Sequence, residues 1–239
     1  MQSVNRILTK EQREESMKKA SMIGVGLVLA IVFLGVTTTT TEVEASGNRM
    51  LEITFQNMMP EAILTPPIFA TDRHGCNVSF FEVGEFASSE LEELAEGGNT
   101  TPLAVLFMNN GANIVQHNEP LLPGETITIE IPGNQSSELS IASMLLPTND
   151  GFTGANAMSV RELLRDGGTA LLRAYDAGTE GNSELFADIP GPFGGVGYIP
   201  GGGEGFVHSH PNLIGGGDAD PATYRWGEFV AKISVRVVR

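Results

Sequence analysis

Leu51-Glu-Ile-Thr-Phe-Gln56 alternates apolar and polar residues, and this pattern governs our prediction of the architecture. The same alternation recurs in Thr126-Ile-Thr-Ile-Glu-Ile131 and in Lys232-Ile-Ser-Val-Arg-Val237. Successive side chains of a strand point to opposite faces of the sheet. A period of two therefore predicts strands with one buried and one solvated face.

Other segments of the chain extend this pattern. Residues 103–108 and 139–146 are almost continuously apolar, which is typical of inner strands. Gly- and Pro-rich turns such as Pro123-Gly124 and Pro132-Gly133 separate the apolar runs. A Gly-rich stretch over residues 190–220 predicts a long loop excursion, interrupted by residues 205–210.

Only two segments have helical features. Residues 88–96 begin with a capping serine, carry a leucine pair three residues apart and end at Gly97-Gly98. Residues 158–165 form a weaker candidate that ends before Gly167. Many strands with one or two short helices and long Gly/Pro-rich loops predict an all-β antiparallel sandwich.

The N-terminus predicts export. Residues 20–36 carry no charge and follow Lys18-Lys19, and Val43-Glu-Ala45 offers small residues for cleavage after Ala45. We therefore assign residues 1–45 to a signal peptide and residues 46–239 to a single secreted or cell-surface domain. Since a bilayer span needs about 17 to 25 apolar residues, an uncleaved anchor over residues 20–36 is the alternative. Translation could begin at Met1 or at Met17.

Charge and cysteine content narrow the classes of partner. The chain has a formal net charge of -15, which repels nucleic acid and anionic lipid and attracts cations. We expect no nucleic-acid partner, and membrane contact only through an uncleaved N-terminal segment. Cys76 is the single cysteine, so no internal disulfide can form and stability must come from a core or a bound ion.

Two Gly-bearing loops carry the carboxylates that suggest a cation site. Pro147-Thr-Asn-Asp-Gly-Phe152 contributes Asp150, and Tyr175-Asp-Ala-Gly-Thr-Glu-Gly-Asn182 contributes Asp176 and Glu180. Calcium takes six to eight oxygen ligands, so the amides of Asn149 and Asn182 are additional candidates. On pattern alone, Asp150 and Asp176 equally suit ordinary capped turns.

His208-Ser-His210 offers a different chemistry. On a strand, both imidazoles would lie on one face and could chelate zinc or copper. The alternative is a hydrogen-bonded pair beside the turn begun by Pro211-Asn212.

The sequence contains few of the motifs that are typical of enzymes. No serine lies in a Gly-x-Ser-x-Gly elbow, and Trp226 is the single tryptophan available to stack a sugar. A secreted hydrolase using Asp150, Asp176 and Glu180 is the alternative to a non-enzymatic binding module.

Several motifs in order resemble the spondin N-terminal domain, the module first associated with F-spondin, over about residues 50–239. The matching stretches are Pro66-Pro-Ile-Phe-Ala-Thr71, Phe81-Glu-Val-Gly84, Leu91-Glu-Glu-Leu-Ala-Glu96, Ala142-Ser-Met-Leu-Leu-Pro147, Asn149-Asp-Gly-Phe152 and Tyr175-Asp-Ala-Gly-Thr-Glu180. The chain is more similar to the single-domain secreted form found in microbes than to animal spondins, which add further modules and cysteines.

The resemblance implies a calcium-binding β-sandwich, related to calcium- and lipid-binding sandwich modules, that acts in cell adhesion or matrix contact. Its partner would be an extracellular protein or glycan. Carried over residue by residue, the family's acidic positions correspond to Asp150, Asp176 and Glu180. The last is often Asp in the animal proteins, and Glu keeps the carboxylate while adding reach.

Overall fold

Two antiparallel sheets form the framework of the computed structural model, which describes residues 49–73, 78–199 and 201–238. Their strands are β1 Met50–Asn57, β2 Ile63–Leu64, β3 Ile68–Arg73, β4 Asn113–Gln116, β5 Thr126–Pro132, β6 Ser137–Leu146, β7 Gly151–Ser159, β8 Thr169–Leu172, β9 Ala174–Asp176, β10 His208–Ser209 and β11 Ala231–Val238. The described residues also include four short helices, α1 Ser89–Gly97, α2 Thr101–Asn109, α3 Val160–Arg165 and α4 Pro221–Tyr224. Two single 3-10 turns follow β9, at Phe186–Asp188 and Gly191–Phe193.

The two sheets have a simple order. One has four strands in the order β5-β1-β11-β8, and the other has the order β10-β9-β7-β6-β3-β4 with β2 paired to β6. Every strand pairing within these sheets is antiparallel. The predicted all-β sandwich with short helices is therefore confirmed.

The alternation of apolar and polar residues correctly predicted three strands of the four-stranded sheet. In β1, Leu51, Ile53 and Phe55 are fully buried, while the residues between them are partly exposed. β1 lies between β5 and β11, with Ile53 opposite both Ile129 and Val235. The three alternating segments are thus neighbours in one sheet, and they direct their apolar residues to the same core.

The apolar run at residues 103–108 was wrongly predicted to be a strand, because it forms most of α2. Thr100 precedes the helix and Pro102 lies in its first turn, where a missing amide proton costs nothing. Leu103, Ala104 and Phe107 are the buried residues, a spacing that belongs to one face of a helix. The other continuous run, residues 139–146, lies in the buried central strand β6 as predicted.

Both predicted helices form, with small shifts of their ends. Ser88 caps α1 by accepting a hydrogen bond from the Leu91 amide, and Gly98 ends it in the left-handed conformation at φ 68°. α3 begins at Val160, two residues later than predicted, because Ser159 belongs to β7 and caps the helix through the Glu162 amide.

The core has two main layers, on the two faces of the larger sheet. Phe69 and Ile141 point between the sheets, whereas their neighbours Ile68 and Ala142 point outward. The outward face is covered by α1 and α2 through Leu91, Leu94 and Phe107, among others. The helices therefore lie over the larger sheet, and the end of α1 approaches the loops after β6 and β9.

The N-terminal predictions lie outside the described residues. This applies to the signal peptide over residues 1–45, to the apolar segment 20–36 and to Cys76. Within the described part of the chain, no helix is long and apolar enough to cross a bilayer.

Candidate metal centre

The structure brings the three predicted carboxylates to one end of the larger sheet. Asp150 immediately precedes β7, and the first residue of β7, Gly151, pairs with Asp176 at the end of β9. Glu180 follows in the loop after β9. All three are buried, with Asp150 and Asp176 fully inaccessible and Glu180 3% exposed. Turn capping alone does not account for this depth of burial.

Asp150 has one satisfied and one unsatisfied oxygen. Its Oδ2 accepts hydrogen bonds from the amides of Thr179 (2.8 Å) and Glu180 (3.1 Å), which ties the two predicted loops together. Its Oδ1 is buried and has no hydrogen-bond partner among the described residues. Burial raises the pKa of Asp150 to about 7, and the negative charge of Asp176 contributes further.

Glu180, like Asp150, has one oxygen with a hydrogen bond and one without. Its Oε1 accepts a hydrogen bond of 2.8 Å from the Asn149 side-chain nitrogen, while its buried Oε2 has no partner within the described part of the chain. Burial raises the pKa of Glu180 to about 7. Asn149, a predicted additional ligand, turns its nitrogen to Glu180, and its oxygen accepts from the Glu184 amide. Asn149 therefore positions Glu180.

Asp176 is the most completely bonded of the three. Its Oδ1 accepts from the Gly178 amide at 2.9 Å, and its Oδ2 accepts from the Asn182 side-chain nitrogen at 2.8 Å. Asn182, the other predicted additional ligand, thus also presents nitrogen to a carboxylate. The remaining neighbour of Oδ1 is His208, at 3.5 Å.

Glu96 is a buried carboxylate that the sequence analysis missed as a site residue. It lies near the end of α1 and is fully buried. Neither of its oxygens makes a hydrogen bond of normal geometry with a described residue, although the Thr179 side chain and the Ile199 backbone lie close enough to act against the larger effect of burial on its pKa. Burial raises its own pKa, and its negative charge helps to raise the pKa of both Asp150 and Glu180. Glu96, Asp150 and Glu180 therefore share one electrostatic environment, and we call them the carboxylate cluster.

The two histidines have different roles. The Nδ1 of His208 is 3.0 Å from the Ser209 carbonyl oxygen, so Nδ1 carries a proton. Burial acts to lower the pKa of His208, but the Ser209 carbonyl, Asp176 and Glu204 together outweigh it and raise the pKa, so Nε2 can hold either a proton or a metal ion.

The Nδ1 of His210 instead accepts a hydrogen bond of 3.0 Å from the Asn212 amide, which assigns the proton of neutral His210 to Nε2. His210 also packs edge-on against Trp226, and burial lowers its pKa to about 4. His210 is thus neutral, and its buried Nε2 has no hydrogen-bond partner among the described residues, so its role as a second ligand stays a prediction.

Glu204 lies beside His208, although the sequence did not lead us to predict it as a ligand. Its Oε2 lies 3.4 Å from the His208 Nε2, and the ligand atoms of Asp176, Glu204 and His208 all lie within 4.8 Å of one another. We call these three residues the mixed cluster. The sequence signal for Glu204 was its spacing of four residues from His208 in a Gly-rich loop.

The hydrolase alternative receives mixed support from this geometry. Carboxyl groups with a pKa near 7 are typical of general acids and bases. However, Trp226 is 7% exposed and packs against His210, so it offers no platform for stacking a sugar.

No protein-family model matches this chain, and no curated protein matches it. The resemblance to the spondin N-terminal domain therefore rests on the sequence motifs.

Proposed function

We propose that this chain is an exported calcium-binding β-sandwich that acts as a binding or adhesion module at the cell surface or in the extracellular matrix. The observation that carries the proposal is the set of buried carboxylate oxygens without hydrogen bonds on Asp150, Glu180 and Glu96. A buried polar atom without a partner costs free energy, and a buried charge costs more. A bound cation would remove both costs.

Protonation of the carboxylates would reduce the cost of their burial less well than a bound cation. A protonated carboxyl group has an O–H that needs an acceptor, and Asp150 Oδ1 and Glu180 Oε2 have no hydrogen-bond partner among the described residues. A cation instead interacts favourably with every unpaired oxygen around it. The carboxylate cluster therefore favours a cation over three neutral acids. Its side chains would have to move closer together to bind one ion, since among the described residues only Asp176, Glu204 and His208 have ligand atoms within 4.8 Å of one another.

The donor atoms favour calcium. The cluster offers only oxygens, the hard ligands that calcium and magnesium prefer. The oxygens come from a helix and two irregular loops, which suits the flexible coordination of calcium better than the strict octahedron of magnesium. Asp176, predicted as a third ligand, adds negative charge beside Asp150, and backbone carbonyl oxygens or water would complete the shell.

The binding role rests on the spondin resemblance, the predicted export and the surface around the site. Phe86 is 83% exposed and lies beside Gly205, and Phe206 is 43% exposed on the same loop. Exposed aromatic residues next to a metal site are typical of an interaction surface. A cation that fixes the loops would fix this surface, so binding of an extracellular protein or glycan would depend on calcium.

The test is thermal unfolding of the purified protein in chelator and then in millimolar calcium, magnesium or zinc. We expect a rise in Tm that is largest with calcium, because the ion binds only the native state. Asp150→Asn and Glu180→Gln should abolish this rise. Glu130→Gln is the matched control, since Glu130 is exposed on β5 in the other sheet. An unchanged calcium response in Asp150→Asn would overturn the proposal.

The same variants separate the hydrolase alternative. A hydrolase that uses Asp150 and Glu180 as acid and base would lose turnover of a glycoside in these variants without any calcium-dependent change in Tm. A calcium response without turnover in the unmodified protein supports the binding module.

A further inference from the structure

We propose that Asp176, Glu204 and His208 form a second metal site, for a divalent transition metal of the zinc class. This mixed cluster differs from the carboxylate cluster in its donor atoms, because it contains an imidazole nitrogen. The proposal goes beyond calcium binding and does not depend on it, since Glu204 and His208 take no part in the carboxylate cluster.

The arrangement around the His208 Nε2 needs a positive charge. With Nδ1 protonated, Nε2 faces Asp176 Oδ1 at 3.5 Å and Glu204 Oε2 at 3.4 Å. While the imidazole is neutral, three electron-rich atoms converge on one point, which either a second proton or a metal ion can occupy. A metal ion at that point converts the repulsion between them into attraction.

The two distances fit metal ligands better than they fit a hydrogen-bonded ion pair. A charged N–H···O bond has a length of about 2.7 to 2.9 Å, which is well below the observed separations. Ligands at about 2.0 to 2.1 Å from a tetrahedral zinc ion are separated from one another by about 3.4 Å. The two separations from the His208 nitrogen therefore match the spacing of ligand atoms around a zinc ion, and the ligand atoms of all three residues lie within 4.8 Å of one another.

The groups behind the ligands hold them in place. The His208 Nδ1–H donates to the Ser209 carbonyl, which is the usual second contact of a metal-bound histidine. The Asp176 carboxylate is held by the Gly178 amide and by Asn182. Because His208 pairs with Asp176 across β10 and β9, the backbone register itself sets this pair side by side.

Glycines bring Glu204 to the same point. A Cβ atom on Gly203 would lie 2.3 Å from the Gly178 carbonyl oxygen, so only glycine lets the two backbones approach this closely. The Gly205 amide then donates to the same oxygen at 2.8 Å. The loop is thereby fixed against the β9 turn on both sides of Glu204.

The ligand set selects the class of metal. Imidazole and carboxylate together suit zinc, whereas calcium prefers oxygen alone. The Glu204 side chain is 46% exposed, whereas Asp176 and the His208 Nε2 are buried, so the cluster meets solvent on the Glu204 side. Three protein ligands and one water from that side would complete the shell of a tetrahedral zinc ion.

The experiment is zinc titration of the chelator-treated full-length protein, followed by calorimetry and by metal analysis after dialysis. We expect one zinc ion bound through this cluster, and a loss of affinity of more than about 10-fold in both His208→Ala and Glu204→Gln. His117→Ala is the matched histidine control and should leave zinc affinity unchanged. His117 follows β4, at the opposite edge of the sheet from β10.

Three outcomes would overturn the proposal. These are the absence of zinc binding by the unmodified protein, an unchanged zinc affinity in Glu204→Gln, and an equal loss in His117→Ala. Glu204→Gln keeps the test valid if His208→Ala fails to fold, because the Glu204 side chain lies on an exposed loop. The calcium-dependent rise in Tm should persist in Glu204→Gln, so failure of the zinc site and failure of the calcium site give different results.

Discussion

The carboxylate cluster and the mixed cluster lie at the same end of one sheet, yet they differ in donor atoms and in burial. The first is assembled from buried oxygens on α1 and on the loops after β6 and β9. The second is assembled from the buried carboxylate of Asp176, the half-buried His208 at the start of β10 and the exposed Glu204 in the Gly-rich loop before it. One backbone framework can therefore hold a buried site made only of oxygen ligands and, within a few residues, a more exposed site that also offers an imidazole nitrogen.

The largest expected effect comes from disturbing the framework that both clusters share. Gly178 has φ 67°, and a Cβ atom there would lie 2.4 Å from the Phe206 carbonyl oxygen. We expect Gly178→Ala to lower the free energy of unfolding by about 3 kcal/mol, measured by urea denaturation, and to remove both metal responses.

Gly111→Ala is the control that separates the cost of backbone strain from the cost of a steric clash at the new Cβ. Gly111 has φ 84° but no atom near the position of a Cβ, so it reports the backbone strain alone, about 1 kcal/mol. Equal losses in the two variants would contradict a shared, closely packed framework.

The next largest effect comes from a substitution in α1 that should change calcium affinity and leave zinc affinity unchanged. Glu96→Gln removes one charge from the carboxylate cluster, so we expect calcium affinity to fall by about 10-fold or more while zinc affinity is unchanged. Calorimetric titration with each metal provides the measurement. Glu93→Gln is the control, because Glu93 lies on the exposed face of the same helix. A loss of zinc affinity in Glu96→Gln would mean that the clusters are a single site.

A smaller effect comes from the two asparagines that hold the ligands. Asn149 donates to Glu180 and Asn182 donates to Asp176, both at 2.8 Å. Removing a group behind a metal ligand typically costs about 10-fold in affinity. We expect Asn149→Ala to weaken calcium binding and Asn182→Ala to weaken zinc binding, as measured in the same titrations. The reverse pattern would contradict the assignment of ligands to clusters.

The sheets were predictable because alternation at residues 51–56, 126–131 and 232–237 reflects a local property of strands. Residues 103–108 were misread because a short apolar run has no clear period, and the helix depends on Thr100, on Pro102 and on packing against the sheet. The structure places Asp150, Asp176 and Glu180 at one end of the sheet, because Asp150 immediately precedes β7 and Asp176 ends the neighbouring strand β9.

The remaining site residues depend on tertiary contacts that have no sequence signal. Glu96 lies away from the Leu91 and Leu94 side of α1, so its helical position predicts exposure. It is buried because other parts of the chain cover the end of the helix, as at Gly97, where a Cβ would lie 3.1 Å from the Gly197 carbonyl oxygen. The different protonation of His208 and His210 likewise depends on their hydrogen bonds. The Nδ1 of His208 donates to the Ser209 carbonyl, and the Nδ1 of His210 accepts from the Asn212 amide.

The smallest expected effect is a pH dependence of the chelated protein, which tests the cost of burying the carboxylate cluster. Asp150 has an ordinary pKa in the unfolded chain and a pKa of about 7 in the metal-free native state, so the native state binds its proton more tightly. The stability associated with this proton is present at low pH and is lost as pH rises towards 7. His210, whose pKa is lowered to about 4, acts in the opposite direction, and the comparison must remove its contribution.

Asp150→Asn provides that comparison, because His210 titrates in both proteins and its contribution cancels in their difference. In chelator, we expect the free energy of unfolding of the unmodified protein to fall relative to Asp150→Asn between pH 5 and pH 8, as measured by urea denaturation. Calcium at pH 8 should then restore the unmodified protein and leave the variant unchanged, because only the carboxylate can exchange its proton for the ion. A difference that stays constant with pH would mean that Asp150 pays no cost for burial, and it would remove the physical reason for placing a cation in the carboxylate cluster.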